Sequence, residues 1–365
     1  MIGAGVVGFS MAWHLQRQGH QVTLIAPERS SNPGELSGSQ AALGLLMAQV
    51  YRRSSGRGWR MRQQSLALWQ QWRQELEQRD YPIPGLNGLL QLASTADELE
   101  AQQRLCQQRQ QQGLPLRMLR ADELADLRPA VPSPSLGGLL SPRDGQIDPG
   151  PALEAFRGDG LRLGLSLINS TVVGIHRAAG ARDQRWRLEL ESGESHWASW
   201  VVVCAGLSSP ALLDPLGHAR PQSPVLGQAA ELQLHPDDRE ALSWPGSLSW
   251  DGINLVPRPA GRLWLGATLE PDRQRPLQRS LADGNLQELL TLKGQAPAWL
   301  QRCEVVEHWH GLRARPCGRP APLLELLEPG LILASGHYRN GVLLAPASAL
   351  WAGEQIEAAE APAQI

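Results

Sequence analysis

The chain opens with the run MIGAGVVG, in which Gly3, Gly5 and Gly8 follow a G-x-G-x-x-G spacing. This spacing is typical of a turn that joins a β-strand to a helix and lets the pyrophosphate of a dinucleotide approach the backbone. The following segment FSMAWHLQRQG predicts a helix, with its apolar residues on one face and a stop at Gly19. The run therefore predicts an α/β nucleotide-binding unit; a bare glycine-rich turn is the alternative.

The strand that should precede Gly3 is missing from the sequence. A central strand of a doubly wound sheet buries about five apolar side chains, worth ~1.5–3 kcal/mol each. The free energy lost with this strand would be comparable with the total folding stability of a protein, which is about 5–15 kcal/mol. We therefore expect that the recorded start is misplaced or that the chain is a fragment, with upstream codons for a short Val/Ile-rich run.

The segment QVTLIA (21–26) predicts the second strand of the nucleotide-binding unit. An acidic residue at the end of this strand usually binds the adenosine ribose. Counted from Gly3, that position falls on Ala26, and Glu28 stands two residues further on. We therefore assign the ribose contact to Glu28.

The composition indicates an ordinary globular protein. It is 42% hydrophobic with a formal charge of −2, and no apolar run approaches the ~20 residues that span a bilayer. The 34 basic residues are scattered and balanced by 36 acidic ones, which argues against a nucleic-acid surface. We expect neither a nucleic-acid partner nor a membrane span.

The four cysteines show no C-x-x-C spacing, so they predict neither a disulfide framework nor a zinc site and suit a reducing cytoplasm. They are Cys106, Cys204, Cys303 and Cys317. The run His308-Trp309-His310 offers two ligands, but no nearby acid or cysteine completes a metal site. We expect no metal.

Predicted elements of two kinds alternate along the chain. Helices are predicted over 59–79, 97–112 and 345–359, the last with Pro346 near its first turn. Two apolar segments, within 197–209 and 330–336, predict buried parallel strands. Strands of a mostly antiparallel sheet are predicted over 229–235, 253–258, 262–270 and 305–315. The alternation predicts two domains built from non-contiguous segments.

Eight motifs fall in one order along the chain: G-A-G-V-V-G (3–8), S-Q-A-A-L-G-L-L (39–46), G-Q-I-D-P (145–149), V-V-V-C-A-G (201–206), L-V-P-R (255–258), G-A-T-L-E (266–270), G-L-R (311–313) and G-H-Y-R-N-G-V-L-L-A-P (336–346). That order resembles the FAD-dependent D-amino-acid oxidase family. The last motif resembles its glycine oxidase branch, which is associated with thiamine biosynthesis. The resemblance runs from Gly3 to about Ile356.

The resemblance implies an α/β fold of two interleaved domains. One is a Rossmann-like FAD-binding domain with a truncated first strand, and the other is a substrate domain with a mostly antiparallel sheet. The predicted FAD-binding domain covers 1–80, 150–220 and 316–357, the substrate domain covers 81–149 and 221–315, and 358–365 form a disordered tail.

The resemblance also implies a set of residues around a non-covalent FAD. The glycine turn would hold the pyrophosphate, the small residues after Ser39 would leave room for the flavin, and the last motif would line its pyrimidine side. The predicted cofactor-binding residues are Gly3, Gly5, Val6, Val7, Gly8, Glu28, Ser39, Gln40, Ala41, Ala42, Gly44, Val173, Cys204, Ala205, Gly206, Gly336, His337, Asn340, Gly341 and Val342.

Two arginines carry the implied substrate site. Arg313 matches the family arginine that binds the substrate α-carboxylate, which a planar guanidinium does bidentately. Arg339, next to Tyr338, would support the same carboxylate or the flavin, and these three residues are the predicted catalytic set. For either arginine, a surface position without a role is the alternative.

The chain departs from the family pattern at the substrate site. Asn254 stands where the family has a tyrosine that shapes this site, so we predict Asn254 as a substrate contact. The segment A-R-P-C-G-R-P-A-P lacks the aspartate that usually follows G-L-R. Cys317 lies near, but not at, the position of the covalent flavin cysteine of sarcosine oxidases, and we interpret it as a spectator thiol.

The implied reaction is hydride transfer from the substrate Cα to FAD, followed by hydrolysis of the imine to a 2-oxo acid and ammonia and by release of hydrogen peroxide from O₂. Glycine, sarcosine or a small D-amino acid is the implied substrate. Two alternatives stay open: a dehydrogenase that passes electrons to a quinone, and an inactive, flavin-poor relative that acts as a binding protein. Formation of a homo-oligomer is also left open.

Overall fold

The computed structural model describes residues 1–28, 37–178, 185–271 and 284–361. The last four residues of the predicted tail lie outside these ranges.

Helices and strands alternate along the described chain. The helices are α1 Val6–Arg17, α2 Gly56–Glu77, α3 Ala96–Gln111, α4 Ala121–Ala125, α5 Pro149–Arg162, α6 Ser209–Leu213, α7 Pro236–Glu240, α8 Gly284–Leu290, α9 Ala298–Gln301 and α10 Gly341–Glu360. The strands are β1 Thr23–Ala26, β2 Leu45–Leu46, β3 Gly85–Ala93, β4 Arg117–Arg120, β5 Gly137–Ile147, β6 Ser166–Asn169, β7 Val172–Arg177, β8 Trp186–Leu190, β9 Ser195–Ala198, β10 Val201–Val203, β11 Gln222–Gln233, β12 Ser247–Trp250, β13 Ile253–Arg258, β14 Arg262–Gly266, β15 Glu304–Pro316, β16 Leu323–Glu328 and β17 Leu331–Ser335.

The first sheet is built around Ile2. Ile2 forms parallel bridges to Ile25 of β1 on one side and to Val203 of β10 on the other. Its N–H donates to the Val202 carbonyl at 2.9 Å, and its carbonyl accepts from Cys204 N–H at 2.8 Å. The spatial order is therefore β6, β1, Ile2, β10, β17 and β16, and only β16 runs antiparallel. The central strand predicted to be missing is present as a very short segment.

Two layers cover the first sheet. Helices α1, α2, α5 and α10 pack together on one face, where Trp13, Trp72 and Phe156 meet with ring centroids 4.9–5.9 Å apart. The antiparallel strands β7, β8 and β9 cover the other face, where Trp186 lies in one cluster with Ile2. Burial on both faces explains why β10 and β17 are continuous apolar runs.

The second sheet has nine strands in the order β15, β11, β14, β13, β12, β3, β5 and β2, with β4 also paired to β5. Its pairs are antiparallel except β12 with β3. One face packs on a leucine-rich core that includes α8 and α9. The prediction of an α/β fold with a mostly antiparallel second sheet is confirmed.

Four predicted boundaries were wrong. Strand β11 begins at Gln222, seven residues before the predicted start, and β14 ends at Gly266 rather than at 270. Helix α10 begins at Gly341, so Pro346 lies in its interior and not in its first turn. The same helix continues to Glu360, so residues 358–360 of the predicted disordered tail are helical.

Among the described residues, none of the helices combines the length and apolar character that crossing a bilayer requires.

Candidate active site

A cleft of about 2450 Å³ lies along the end of the first sheet and reaches the second. Gly5, Gly341 and Arg313, which belong to three distant parts of the sequence, all line it. The other predicted site residues that line it are Gly3, Val6, Val7, Glu28, Ser39, Gln40, Ala42, Gly44, Cys204, Ala205, Gly206, Asn254, Gly336, His337, Tyr338, Arg339, Asn340 and Val342.

Three predicted cofactor contacts lie off the cleft. Gly8 faces the Gly3 carbonyl so closely that a Cβ atom would overlap with it, so Gly8 allows α1 to pack on the turn. Ala41 packs beside Trp309, whose indole N–H donates to the Ala41 carbonyl at 3.1 Å. The Val173 side chain is 53% exposed, and its neighbours Thr171 and Val172 line the cleft instead.

The turn before α1 requires glycine. Gly3 has a φ of +104°, and a Cβ atom there would lie 2.6 Å from the Cys204 carbonyl oxygen. A Cβ atom on Gly5 would lie 3.0 Å from Ser39 Oγ, which accepts from Val6 N–H at 2.9 Å. The backbone is thus open to a ligand at the beginning of the helix.

Two long helices begin at this cleft, α1 after Gly5 and α10 after Asn340. Neither has an acidic residue in its first turn, and neither Gly5 nor Asn340 caps its helix with a side-chain hydrogen bond. Apart from Val6 N–H, which donates to Ser39 Oγ, the partial positive charges of both helix N-termini are therefore left for a ligand. The glycine turn and the two N-termini together fit an anionic dinucleotide such as FAD.

Glu28 lies at the β1 end of the cleft. Strand β1 ends at Ala26, and the Glu28 carboxylate accepts from Asn169 Nδ2 at 3.4 Å. This carboxylate is exposed beside the glycine turn, where an adenosine ribose would lie in a Rossmann-like fold.

Small residues and tight turns form the middle of the cleft. Gly44 has a φ of +79°, and its carbonyl accepts from Ile147 N–H at 3.0 Å, which extends the pairing of β2 with β5. Gln40 belongs to a turn in which its N–H donates to Ser37 Oγ at 3.3 Å. On the opposite wall, Gly206 has a φ of +56° and open space where a Cβ would lie.

His337 is a buried, neutral residue at the beginning of the last motif. Burial lowers the pKa of His337 to about 4. Its Nε2 lies 2.9 Å from Ser348 Oγ, and that hydroxyl donates to the Leu344 carbonyl at 2.8 Å. Because the hydroxyl proton is used, His337 Nε2 must be the donor to Ser348. His337 therefore anchors the wall of the cleft to α10.

Arg313 projects from β15 across the neighbouring strand. Its Nη1 donates to the carbonyls of Leu226 at 3.3 Å and Thr268 at 3.1 Å. Its guanidinium lies directly on Gly227, where a Cβ atom would overlap with it. Burial and the nearby charge of Arg339 lower the pKa of Arg313. Arg313 is thus a held, partly desolvated cation that faces the cleft.

Arg339 and Tyr338 lie in the loop before α10, close to Arg313 of β15. The Arg339 side chain is exposed, and Tyr338 has a φ of +56°. The guanidinium of Arg315 lies 5.7 Å from the centre of the Tyr338 ring. Arg313 and Arg339 therefore place two positive charges at this end of the cleft, which Glu270 also lines.

Asn254 lies on β13, opposite Gly266 of β14. Its side chain is only 8% exposed, and Nδ2 donates to the Gly266 carbonyl at 3.1 Å. The predicted substrate residues Asn254, Arg313 and Arg339 thus share one cleft.

Sequence reasoning missed three residues that organise this end of the cleft. Gly227 provides a flat surface for Arg313, and Thr268 accepts its hydrogen bond. Glu270, which is 8% exposed, accepts from Thr268 Oγ1 at 2.5 Å. Its negative charge opposes part of the lowering of the Arg313 pKa that burial and Arg339 cause. Thr268 and Glu270 stand in the quoted motif G-A-T-L-E, which was the available signal.

Within the described ranges, no group of three or more His, Cys, Asp or Glu side chains is arranged to hold a metal. The four cysteines are free, and burial raises the pKa of the Cys204 thiol to about 12. Cys317 is exposed, with its sulfur 3.6 Å from Ser223 Oγ.

Comparisons with known proteins agree with the cleft chemistry. The family model "DAO: FAD dependent oxidoreductase" matches residues 1–355. The glycine oxidase of Bacillus licheniformis is 27% identical over 358 residues, which cover 95% of this chain and 89% of that protein. The bifunctional protein ThiO/ThiG of a Nostoc species is 28% identical over 96% of this chain and 51% of its own length. The crystal structure of glycine oxidase from Geobacillus kaustophilus superposes with a TM-score of 0.85 at 25% identity, over 98% of this chain and 93% of that one.

Proposed function

Because the chain belongs to the DAO family of FAD-dependent oxidoreductases, we propose that it oxidises a small amino acid, namely glycine, sarcosine or a small D-amino acid. The products would be a 2-oxo acid, ammonia and hydrogen peroxide. The observation that carries the proposal is that Arg313 lines the same cleft as the glycine turn and the N-terminus of α10. The glycine oxidase and ThiO/ThiG relatives support a role in forming the thiazole of thiamine.

The residues of the cleft fit FAD. The turn at Gly3 and Gly5 would hold the pyrophosphate, Glu28 the ribose, and the Gly336–Val342 segment the flavin ring. When bound, FAD supplies the two-electron oxidant for the substrate Cα–H bond and returns to its oxidised form with O₂. The N-terminus of α10 would stabilise negative charge at the flavin pyrimidine ring.

The protein side of the reaction is orientation and charge placement. Arg313 would bind the substrate carboxylate through its free guanidinium edge, which fixes the direction of the Cα–H bond. The positive charges of Arg313 and Arg339 disfavour an ammonium group nearby, so the amine would be held neutral with its lone pair available. The low pKa of His337 keeps that residue from adding a third charge.

The test of this function uses purified holoenzyme and Arg313→Ala. We expect peroxide release with glycine, sarcosine or D-alanine in the wild-type protein, and a KM raised about 100-fold or more in the variant with an unchanged flavin spectrum, because a buried charged hydrogen-bond pair is lost. Arg319→Ala, an exposed arginine paired with Glu325, is the matched control. Full activity of Arg313→Ala would remove the carboxylate role, and reduction of a quinone without peroxide would indicate a dehydrogenase.

The same cleft supports the proposed division of the chain. We propose a FAD-binding domain of 1–80, 150–220 and 316–357 and a substrate domain of 81–149 and 221–315. Strand β2 is an exception, because it belongs to the first of these ranges but pairs with β5 of the second sheet. The four free cysteines favour a reducing compartment, and we propose a cytoplasmic enzyme.

A further inference from the structure

Asn254 has a fixed orientation in the cleft. Its buried amide makes a 3.1 Å hydrogen bond to the Gly266 carbonyl. A carbonyl oxygen can only accept, so the amide atom that faces Gly266 must be the NH₂ group. The Asn254 Oδ1 atom is therefore turned away from Gly266.

The Asn254 Oδ1 atom is an acceptor that faces the cleft. No hydrogen bond to it is formed by the part of the chain that the structure describes, and it is not among the polar atoms that are sealed from solvent there. Because Asn254 lines the cleft, this oxygen is accessible to a ligand. An acceptor in a partly desolvated site gains more from a ligand donor than one in bulk water.

Asn254 and Arg313 are attached to the same short segment. Asn254 donates to the Gly266 carbonyl, and Arg313 Nη1 donates to the carbonyl of Thr268, two residues further on. Guanidinium has five N–H donors, so Arg313 keeps donors for an anion after its two backbone contacts. One short segment thus contacts a cationic donor and a neutral acceptor that line the same cleft.

We propose that Asn254 determines substrate specificity by accepting a hydrogen bond from the amine N–H of the substrate while Arg313 binds the carboxylate. An α-amino acid carries both groups on one carbon, and both residues line the one cleft. The proposal rests on the proposed function and restricts its substrate class to amino acids whose neutral amine keeps at least one N–H, that is, primary and secondary amines.

The test measures dissociation constants of four ligands on the flavin-loaded protein under argon at alkaline pH. For glycine and sarcosine, which reduce the flavin, the constant comes from the dependence of the bleaching rate on ligand concentration, and for the other two from the change in absorbance of the oxidised flavin. Glycine and sarcosine have an amine N–H, whereas acetate and N,N-dimethylglycine with an unprotonated amine have none. In Asn254→Leu we expect the dissociation constants of glycine and sarcosine to rise about fivefold to tenfold, as for one lost hydrogen bond. Those of N,N-dimethylglycine and acetate should stay within about twofold of wild type.

The controls separate the possible failures. Asn87→Ala, an exposed residue of β3, should leave all four constants unchanged. An equal loss of affinity for acetate and glycine in Asn254→Leu would mean that Asn254 only supports the segment that holds Arg313, and would overturn the proposal. The wild-type series is a second test that needs no substitution, because N,N-dimethylglycine binding as well as sarcosine would also overturn it. If glycine binds but no amino acid bleaches the flavin, the proposed function fails while the Asn254 contact is still measured.

Discussion

Trp69 supplies the hydrogen bond that Pro346, which has no N–H, cannot donate to the Val342 carbonyl. The Trp69 indole N–H lies 2.9 Å from that carbonyl. Ser65, one turn before Trp69 in α2, donates its hydroxyl to the Leu343 carbonyl and accepts from Ala347 N–H at 3.2 Å. Helix α2 thus repairs α10 at its proline and fixes the first turn that faces the cleft.

Trp69→Phe should lower the free energy of unfolding by about 1–3 kcal/mol, because the buried Val342 carbonyl loses its donor. Urea denaturation monitored by circular dichroism measures this change. Trp197→Phe is the matched control, since Trp197 is 47% exposed. Equal stability of the two variants would show that α10 tolerates Pro346 without help from α2.

Gly227→Ala should raise the KM for the amino acid about tenfold or more, because the new methyl group would displace the Arg313 guanidinium that lies on Gly227. The content of bound FAD should not change. Gly284→Ala is the control, because a Cβ atom there has open space. A normal KM for Gly227→Ala would mean that Arg313 does not need this position to bind the carboxylate.

The buried His14 makes the folded protein less stable in acid. Burial and the charge of Arg17 lower the pKa of His14 from 6.5 to about 4. Between these two pH values the unfolded chain binds more protons than the folded one, so stability falls as the pH drops from about 6.5 to 4. The difference is on the order of 3 kcal/mol at 1.36 kcal/mol per pKa unit. His14→Phe should remove this part of the pH dependence, measured by urea denaturation at several pH values; an unchanged slope would contradict the assignment.

Asp144→Asn should destabilise the segment that leads from the cleft to α2. The buried Asp144 carboxylate accepts from the N–H groups of Ala48, Gln49 and Val50 at 2.9–3.0 Å. An amide NH₂ would face one or more of these donors, at an expected cost of about 1–3 kcal/mol. Faster hydrogen exchange at residues 48–50 is the specific measurement, and exposed Asp126→Asn is the control. Wild-type exchange rates would disprove the role of Asp144.

Sequence reasoning succeeded where the signal was local. The glycine spacing predicted the turn at Gly3, and continuous apolar runs predicted the parallel strands β10 and β17, because both signals follow from short-range geometry and two-sided burial. Placement of Arg313 in the cleft followed from the motif G-L-R rather than from any pattern of charge. That motif sits on the strand next to Gly227.

The errors share a physical cause, which is a contact made by distant residues. Pro346 indicates a helix start in sequence, and only Ser65 and Trp69 of α2 allow it to lie inside a helix. Pro224 and Gly227 interrupt the strand pattern of β11, yet pairing with β15 on one side extends that strand to Gln222. Successive side chains of β7 point to opposite sides of the strand, and the Val173 side chain points away from the cleft. The sequence does not show which of the two sets of side chains faces the cleft.

The position of Ile2 between Ile25 and Val203 has a consequence for biosynthesis. The segment from Ile2 to Gly3 is translated well before Val203, and the helix that begins at Gly341 is translated later still. Both walls of the cleft therefore exist only after α10 has been translated, and until then the nascent chain stays in a partly folded form that exposes sheet edges. A cofactor that contacts both walls binds only after they have formed, so we expect its supply to set how long newly made chains stay open to proteolysis.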